Sequence, residues 1–133
     1  MTTIRPKKAL GQHFLIDDSI AARIADTLAD YRGRPVLEVG PGTGVLTRHL
    51  LAAGHDLSVV EIDPASISFL RTHYPALEGR ILDEDFLQMD LRARYPSDFM
   101  VIGNYPYYIS SQIFFKVLEE RDRVVCCSGM IQK

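Results

Sequence analysis

The chain has 133 residues, of which 47% are hydrophobic and 24% charged, and its formal net charge is −2. This composition is typical of one globular domain with one core, and the slightly negative balance argues against a dedicated RNA-binding protein. The longest apolar runs are too short to cross a bilayer and the polar N-terminus carries no signal peptide, so we expect a cytoplasmic protein with no membrane partner.

A polar arm precedes the first predicted helix. Residues 5–8 hold three basic side chains and no acid, which suits phosphate contact and equally suits a solvated tail. The residues at 17–19 then offer N-caps for a helix in which Ile20, Ile24 and Leu28 would share one face.

A glycine-rich turn follows the first predicted strand, 35–39. The sequence Gly-Pro-Gly-Thr-Gly at 40–44 leads into a predicted helix at 44–53, and Glu38 stands before the turn. Such a turn lets a ligand approach the backbone closely. A dinucleotide-binding fingerprint would require a third glycine where Val45 stands, which argues against a nucleotide-dependent oxidoreductase but leaves it as an alternative.

The second predicted strand, 57–61, ends in an acid. Glu61 therefore lies where a doubly wound sheet places a carboxylate on a ribose. Asp63 followed by Pro64 is typical of an N-cap and first helical residue, so we interpret Asp63 as structural, at the start of a helix over 64–73.

A third short strand, 80–82, leads into an acidic segment. One of the acids at 83–85 could accept a hydrogen bond from an adenine amino group while Phe86 packs nearby. The same cluster could equally be a solvated loop, and only its position after a strand favours the binding role.

The fourth predicted strand, 99–103, is followed by Asn104-Tyr105-Pro106-Tyr107. The proline makes this segment stiff and removes a donor, so we expect a turn whose carbonyl oxygens, with the Asn104 side chain, accept hydrogen bonds from an amino group. Tyr107 offers a flat face on which a base can stack. A proline-containing turn with ordinary aromatic packing is the alternative.

A helix at 111–120 and a fifth strand at 124–131 complete the pattern. The helix carries an apolar stripe that we expect in the core: Ile113, Phe114, Val117 and Leu118. Cys126 and Cys127 are neighbours on the strand, so they point to opposite faces and we expect core residues, with no metal site. Alternating strands and helices predict an α/β fold with a parallel sheet.

Taken together, these motifs resemble the ribosomal RNA adenine dimethyltransferases. The matching segments are Lys7-Lys8-Ala9-Leu10-Gly11-Gln12-His13-Phe14-Leu15, Glu38-Val39-Gly40-Pro41-Gly42-Thr43-Gly44, Glu61-Ile62-Asp63, Asp85-Phe86-Leu87 and Asn104-Tyr105-Pro106-Tyr107. The resemblance implies a Rossmann-like class I methyltransferase sheet, S-adenosylmethionine as cofactor, and two adjacent adenosines near the 3′ end of small-subunit ribosomal RNA, in the pre-30S particle, as substrate. The erythromycin-resistance methyltransferases, which act on large-subunit RNA, are a sister group and remain an alternative. Tyr108 departs from the family, which more often has asparagine there.

The resemblance also assigns roles to residues by matched position. For the cofactor it implies His13 and Leu15 over the methionine and adenosine sides, Gly40 against the methionine moiety, Glu61 on the ribose, Asp85 on the adenine amino group and Asn104 between cofactor and substrate. For catalysis it implies Asn104, Pro106 and Tyr107.

Family members are roughly twice as long as this chain and carry a C-terminal helical domain. We therefore expect residues 1–133 to be an incomplete cofactor-binding catalytic domain that binds cofactor at best. An edge strand without a neighbour invites pairing, so we also expect self-association through residues 124–131. A binding or ribosome-assembly role without catalysis is the remaining alternative.

Overall fold

Five strands form one parallel sheet in the computed structural model, which describes residues 17–132. The strands are β1 (Pro35–Val39), β2 (Asp56–Glu61), β3 (Ile81–Asp83), β4 (Phe99–Pro106) and β5 (Val124–Gln132). The helices are α1 (Asp18–Asp26), α2 (Val45–Ala52), α3 (Pro64–His73), α4 (Leu91–Arg94) and α5 (Tyr107–Glu119). The strand order is β3-β2-β1-β4-β5, so the α/β prediction is confirmed, while His13, Leu15 and the arm at 5–8 lie outside the described residues.

Both faces of the sheet are buried, because side chains alternate along each strand and helices cover both sides. Val36 of β1 packs with α1, α2 and α3 on one face, and Leu37 packs with α4 and α5 on the other. The first five residues of the interior strand β4, Phe99 to Gly103, are accordingly buried without a polar side chain. None of the helices between residues 17 and 132 combines the length and apolar content needed to span a bilayer.

Helix starts follow the predicted capping chemistry. The Asp63 carboxylate accepts hydrogen bonds from the Ser66 backbone N–H at 3.2 Å and from its hydroxyl at 2.9 Å, and Pro64 occupies the first turn of α3. The structural role predicted for Asp63 is therefore confirmed. Helix α1 ends earlier than predicted, so Leu28 is buried beyond its end while Ile20 remains 37% exposed.

The segment predicted as a turn after the fourth strand is instead strand and helix. β4 continues through Asn104 to Pro106, and α5 begins at once at Tyr107. Pairing with β5 explains the extension, since Asn104 lies opposite Met130 and Pro106 opposite Gln132. Pro106 is the last strand residue and the N-cap of α5, where its fixed φ of −61° fits both roles.

Two expectations about the core near the end of the chain are wrong. Leu118 is 58% exposed, because α5 turns Ile113 and Val117 toward the sheet and Leu118 away from it. Cys127 is exposed and Cys126 is only partly buried. β5 forms one edge of the described sheet, so its side chains have a neighbouring strand on one side only.

Candidate functional site

The strands β1 and β4 lie side by side and bring two motifs together at their carboxyl ends. Val39 is paired with Gly103, so Asn104 lies beside the start of the glycine turn at 40–44. A Cβ on Gly103 would stand 2.7 Å from the Val39 carbonyl oxygen, which shows why a side chain is not tolerated here. Open parallel sheets bind ligands at the carboxyl ends of their strands, at the point where successive connections lead to opposite sides of the sheet.

The glycine turn is fixed by contacts from two neighbouring elements. The Gly40 N–H donates to the Val60 carbonyl at 2.9 Å, which ties the turn to β2. Tyr74, after α3, packs behind the turn and donates from its hydroxyl to the Gly44 carbonyl at 3.2 Å. Gly44 has φ of +90°, and a Cβ there would meet the Tyr74 ring at 2.7 Å. The turn is thus held in place before any ligand binds.

Glu61 bridges β2 and the glycine turn. One carboxylate oxygen accepts from the Gly42 N–H at 3.0 Å, and the other accepts from the N–H groups of Ile62 and Asp63, each at 3.1 Å. The residue is 2% exposed. Its carboxylate therefore braces the turn, because three backbone N–H groups from the turn and from the end of β2 donate to it.

Glu38 forms a second buried acid beside Glu61. It is 1% exposed, and the Thr47 hydroxyl donates to it at 2.6 Å. The pKa of Glu38 is raised to about 8, mainly by burial; the Thr47 hydrogen bond opposes this rise and the nearby Glu61 side chain adds to it. Glu38 therefore holds a proton at neutral pH. Sequence reasoning noted Glu38 only as the acid before the turn, since its burial depends on the packing of α2 over β1.

A cleft opens at this edge of the sheet. Four residues expected in the site line it, namely Gly40, Glu61, Asp85 and Pro106. Further lining residues that the analysis of the sequence did not assign are Ile62, Glu84, Leu87, Tyr108, Ile109 and Ile113. Glu84 belongs to the acidic segment noted in the sequence, whereas the other side chains of this set were predicted as core or were not interpreted. Only the meeting of α5 with the 83–87 segment gives them a common surface.

Asp85 stands at one side of the cleft on a short 3₁₀ turn, Phe86–Gln88. Its carboxylate accepts from the Leu87 N–H at 3.0 Å and so caps this turn, while the residue remains exposed. Phe86 is buried behind it. The acidic segment is thus an ordered wall of the cleft, with Asp85 free to accept further bonds on its solvent side.

Asn104 carries a buried acceptor that the described residues leave unsatisfied. Its Oδ1 is inaccessible to solvent and has no hydrogen-bond partner between residues 17 and 132. An unsatisfied buried acceptor costs stability and calls for an explanation, most simply a donor on a ligand. Asn104 and Tyr107 are not among the residues that line the cleft; Tyr107 is 62% exposed next to Pro106.

Comparison with known proteins finds relatives described as ribosomal RNA methyltransferases or dimethylases. The family model described as ribosomal RNA adenine dimethylase matches residues 4–133. A curated protein of Parabacteroides distasonis, ribosomal RNA small subunit methyltransferase A, is 62% identical over the whole of this chain and 50% of its own length. The chain thus spans about half the length of the curated relatives it matches.

Two solved structures share the fold. The 23S rRNA methyltransferase ErmE is 34% identical with a TM-score of 0.74, covering 90% of this chain and 48% of its own. A dimethyladenosine transferase from Plasmodium falciparum is 28% identical with a TM-score of 0.71, covering 91% of this chain and 44% of its own.

Proposed function

Because the chain belongs to the ribosomal RNA adenine dimethylase family, we propose that it is the S-adenosylmethionine-binding catalytic domain of a methyltransferase that acts on N6 of two adjacent adenosines near the 3′ end of small-subunit ribosomal RNA. The observation that carries this proposal is the buried, unsatisfied Oδ1 of Asn104 beside the glycine turn. Its natural partner is an exocyclic amino group. The pre-30S particle in the cytoplasm is the corresponding partner.

The cleft fits a cofactor without phosphate groups. Among the described residues that line it, Glu61, Glu84 and Asp85 are acidic and none is basic. Such a surface suits hydroxyl and amino donors and a positive charge, and it is unfavourable for the pyrophosphate of a dinucleotide. This supports S-adenosylmethionine over a nicotinamide cofactor.

Particular residues of the cleft match parts of the cofactor. The Gly40 backbone would lie against the methionine moiety, Glu61 would accept from the ribose hydroxyls and Asp85 from the adenine amino group. Ile62 and Leu87 offer apolar surface to the ring. When bound, S-adenosylmethionine supplies a methyl group activated by a sulfonium.

The residues at the end of β4 would prepare the substrate nitrogen. The Asn104 oxygen would accept a hydrogen bond from adenine N6, which favours a pyramidal nitrogen with an available lone pair. Tyr107 would stack on the extruded base, worth on the order of 1–3 kcal/mol. Holding the reactants in line lowers the barrier by up to about 7–11 kcal/mol. No strong base is required, because the N6 proton becomes acidic once the nitrogen is alkylated.

The identities favour small-subunit over large-subunit RNA as the substrate. The curated relative with the higher identity is named for the small subunit, while ErmE is named for 23S RNA at lower identity. A binding role in ribosome assembly uses the same cofactor and RNA surfaces, and a methyl-transfer assay beside a cofactor titration distinguishes it from catalysis.

Calorimetric titration of the chain with S-adenosylmethionine tests the cofactor assignment. We expect saturable binding, because the glycine turn, Glu61 and Asp85 are already ordered in the described sheet. NAD serves as the control ligand and should not bind. Absence of S-adenosylmethionine binding by a folded chain, or tighter binding of NAD, would contradict the proposal.

Self-association of the 133-residue chain is also expected. No strand between residues 17 and 132 pairs with the outer edge of β5, and Ile131 on this strand is 46% exposed. Open edges of this kind pair with other chains. The mass measured by sedimentation equilibrium should rise with concentration, and Ile131→Lys should reduce that rise. A monomer mass at every concentration would refute the prediction.

A further inference from the structure

Lys116 forms a bridge between the two walls of the cleft without lining it. Its ammonium group donates to the backbone carbonyl oxygens of Phe86 and Met89, each at 2.6 Å. These carbonyls lie at the first residue and the C-cap of the 3₁₀ turn Phe86–Gln88. The same ammonium stands 5.2 Å from the centroid of the Phe86 ring, which adds a cation–π contact.

The two elements that Lys116 connects each contribute to the cleft. The 3₁₀ turn carries Asp85, its capping residue, and Leu87 at its centre. Helix α5 carries Ile109 and Ile113, which lie seven and three residues before Lys116 and therefore on its side of the helix. α5 also begins directly after Pro106, so its position is tied to that of Asn104.

The environment of Lys116 is that of a structural cation. Partial burial lowers the pKa of Lys116, and the carboxylates of Asp85, Glu120, Glu119 and Asp90 act in the opposite direction. Two short hydrogen bonds to carbonyls satisfy the charge, since no carboxylate between residues 17 and 132 is bonded to it directly. A partly buried charge thus holds the 86–88 turn at a defined place on α5.

We propose that Lys116 is a positioning residue that sets the separation of the cleft walls by holding the 86–88 turn against α5. The adenine ring of the cofactor binds in the space fixed in this way, between Asp85 with Leu87 on one wall and α5 on the other. This inference rests on the proposed function. In this proposal Lys116 contacts neither cofactor nor substrate. It connects the wall formed by Asp85 and Leu87 to α5, the helix that follows Asn104 and Pro106.

Three variants test the proposal. Lys116→Met keeps the length of the aliphatic stem and removes the ammonium, while Lys116→Arg retains a cation that can donate to both carbonyls. Arg121→Met is the matched control, because Arg121 donates to a single carbonyl, that of Leu118 at the end of α5, and lies away from the cleft.

The first measurement uses the ligand-free chain. We expect Lys116→Met to speed hydrogen exchange of the Gln88 and Met89 amides, which close the 3₁₀ turn by bonding to Asp85 and Phe86, by about tenfold relative to amides of β1. Lys116→Arg should restore slow exchange. No faster exchange at these two amides would overturn the proposal. Equally faster exchange throughout the chain would also overturn it, because a general loss of stability produces that result.

The second measurement is the dissociation constant of S-adenosylmethionine, taken at a temperature where all variants are folded. Lys116→Met should raise it about tenfold, with Lys116→Arg and Arg121→Met close to the wild type. If folded Lys116→Met binds S-adenosylmethionine as tightly as the wild type, the positioning role of Lys116 is wrong, while the proposed function stands. Failure of the wild-type chain to bind would instead contradict the proposed function, and the role of Lys116 in cofactor binding with it.

Discussion

Replacing Asn104 by alanine is expected to abolish methyl transfer while leaving most of the cofactor affinity. The Asn104 oxygen is a buried acceptor with no partner among the described residues, and in the proposed function it accepts from the amino group of the substrate base. Losing one preorganised polar contact to a reacting group typically slows catalysis by about a hundredfold or more. The cofactor contacts proposed for Gly40, Glu61 and Asp85 come from other segments of the chain and should remain.

The measurement compares methyl incorporation into small-subunit RNA with calorimetric binding of S-adenosylmethionine, both in a protein of the relatives' full length that carries this sequence. Gln112→Ala is the matched control, because it removes an exposed side-chain amide from α5. A parallel loss of binding and transfer in Asn104→Ala would assign Asn104 to the cofactor alone. Retained transfer would remove it from the mechanism altogether.

Local sequence signals predicted the parts of the site that depend on neighbouring residues. The glycine turn, the acid at the end of β2 and the Asp63 N-cap each occupy the expected place, because turn and capping chemistry are decided within a few residues. Glu61 illustrates the limit of such signals. Its position was predictable, but its bonds to the Gly42, Ile62 and Asp63 amides depend on how β1 and β2 pair.

Features that depend on distant segments were not predictable from the sequence. Asn104 to Pro106 remain in a strand because residues 130–132 pair with them, which a local proline signal cannot indicate. The contacts of Lys116 join positions 27 and 30 residues apart. The exposure of Cys127 and Leu118 likewise follows from where α5 and β5 lie on the sheet, since their apolar character alone predicted burial.

Replacing Glu38 by glutamine is expected to stabilise the ligand-free chain by a few kcal/mol at about pH 8 and by less than about 1 kcal/mol at about pH 5. Burial raises the pKa of Glu38 from 4.5 to about 8 in the folded chain. Between these values the folded state holds a proton that the unfolded state has released. Wild-type stability therefore falls as the pH rises through this window, by up to about 1.4 kcal/mol per pH unit.

Glutamine is neutral at every pH between about 5 and 8, so the free energy of unfolding of Glu38→Gln should not fall over this range. Urea unfolding at both pH values measures it. Glu61→Gln is the matched control, because the Glu61 carboxylate accepts three backbone hydrogen bonds and its amide would oppose one of them with a donor. That variant should be less stable than the wild type at both pH values. Equal pH dependence in Glu38→Gln and the wild type would show that the pKa of Glu38 is not raised in the folded chain, and would contradict the prediction.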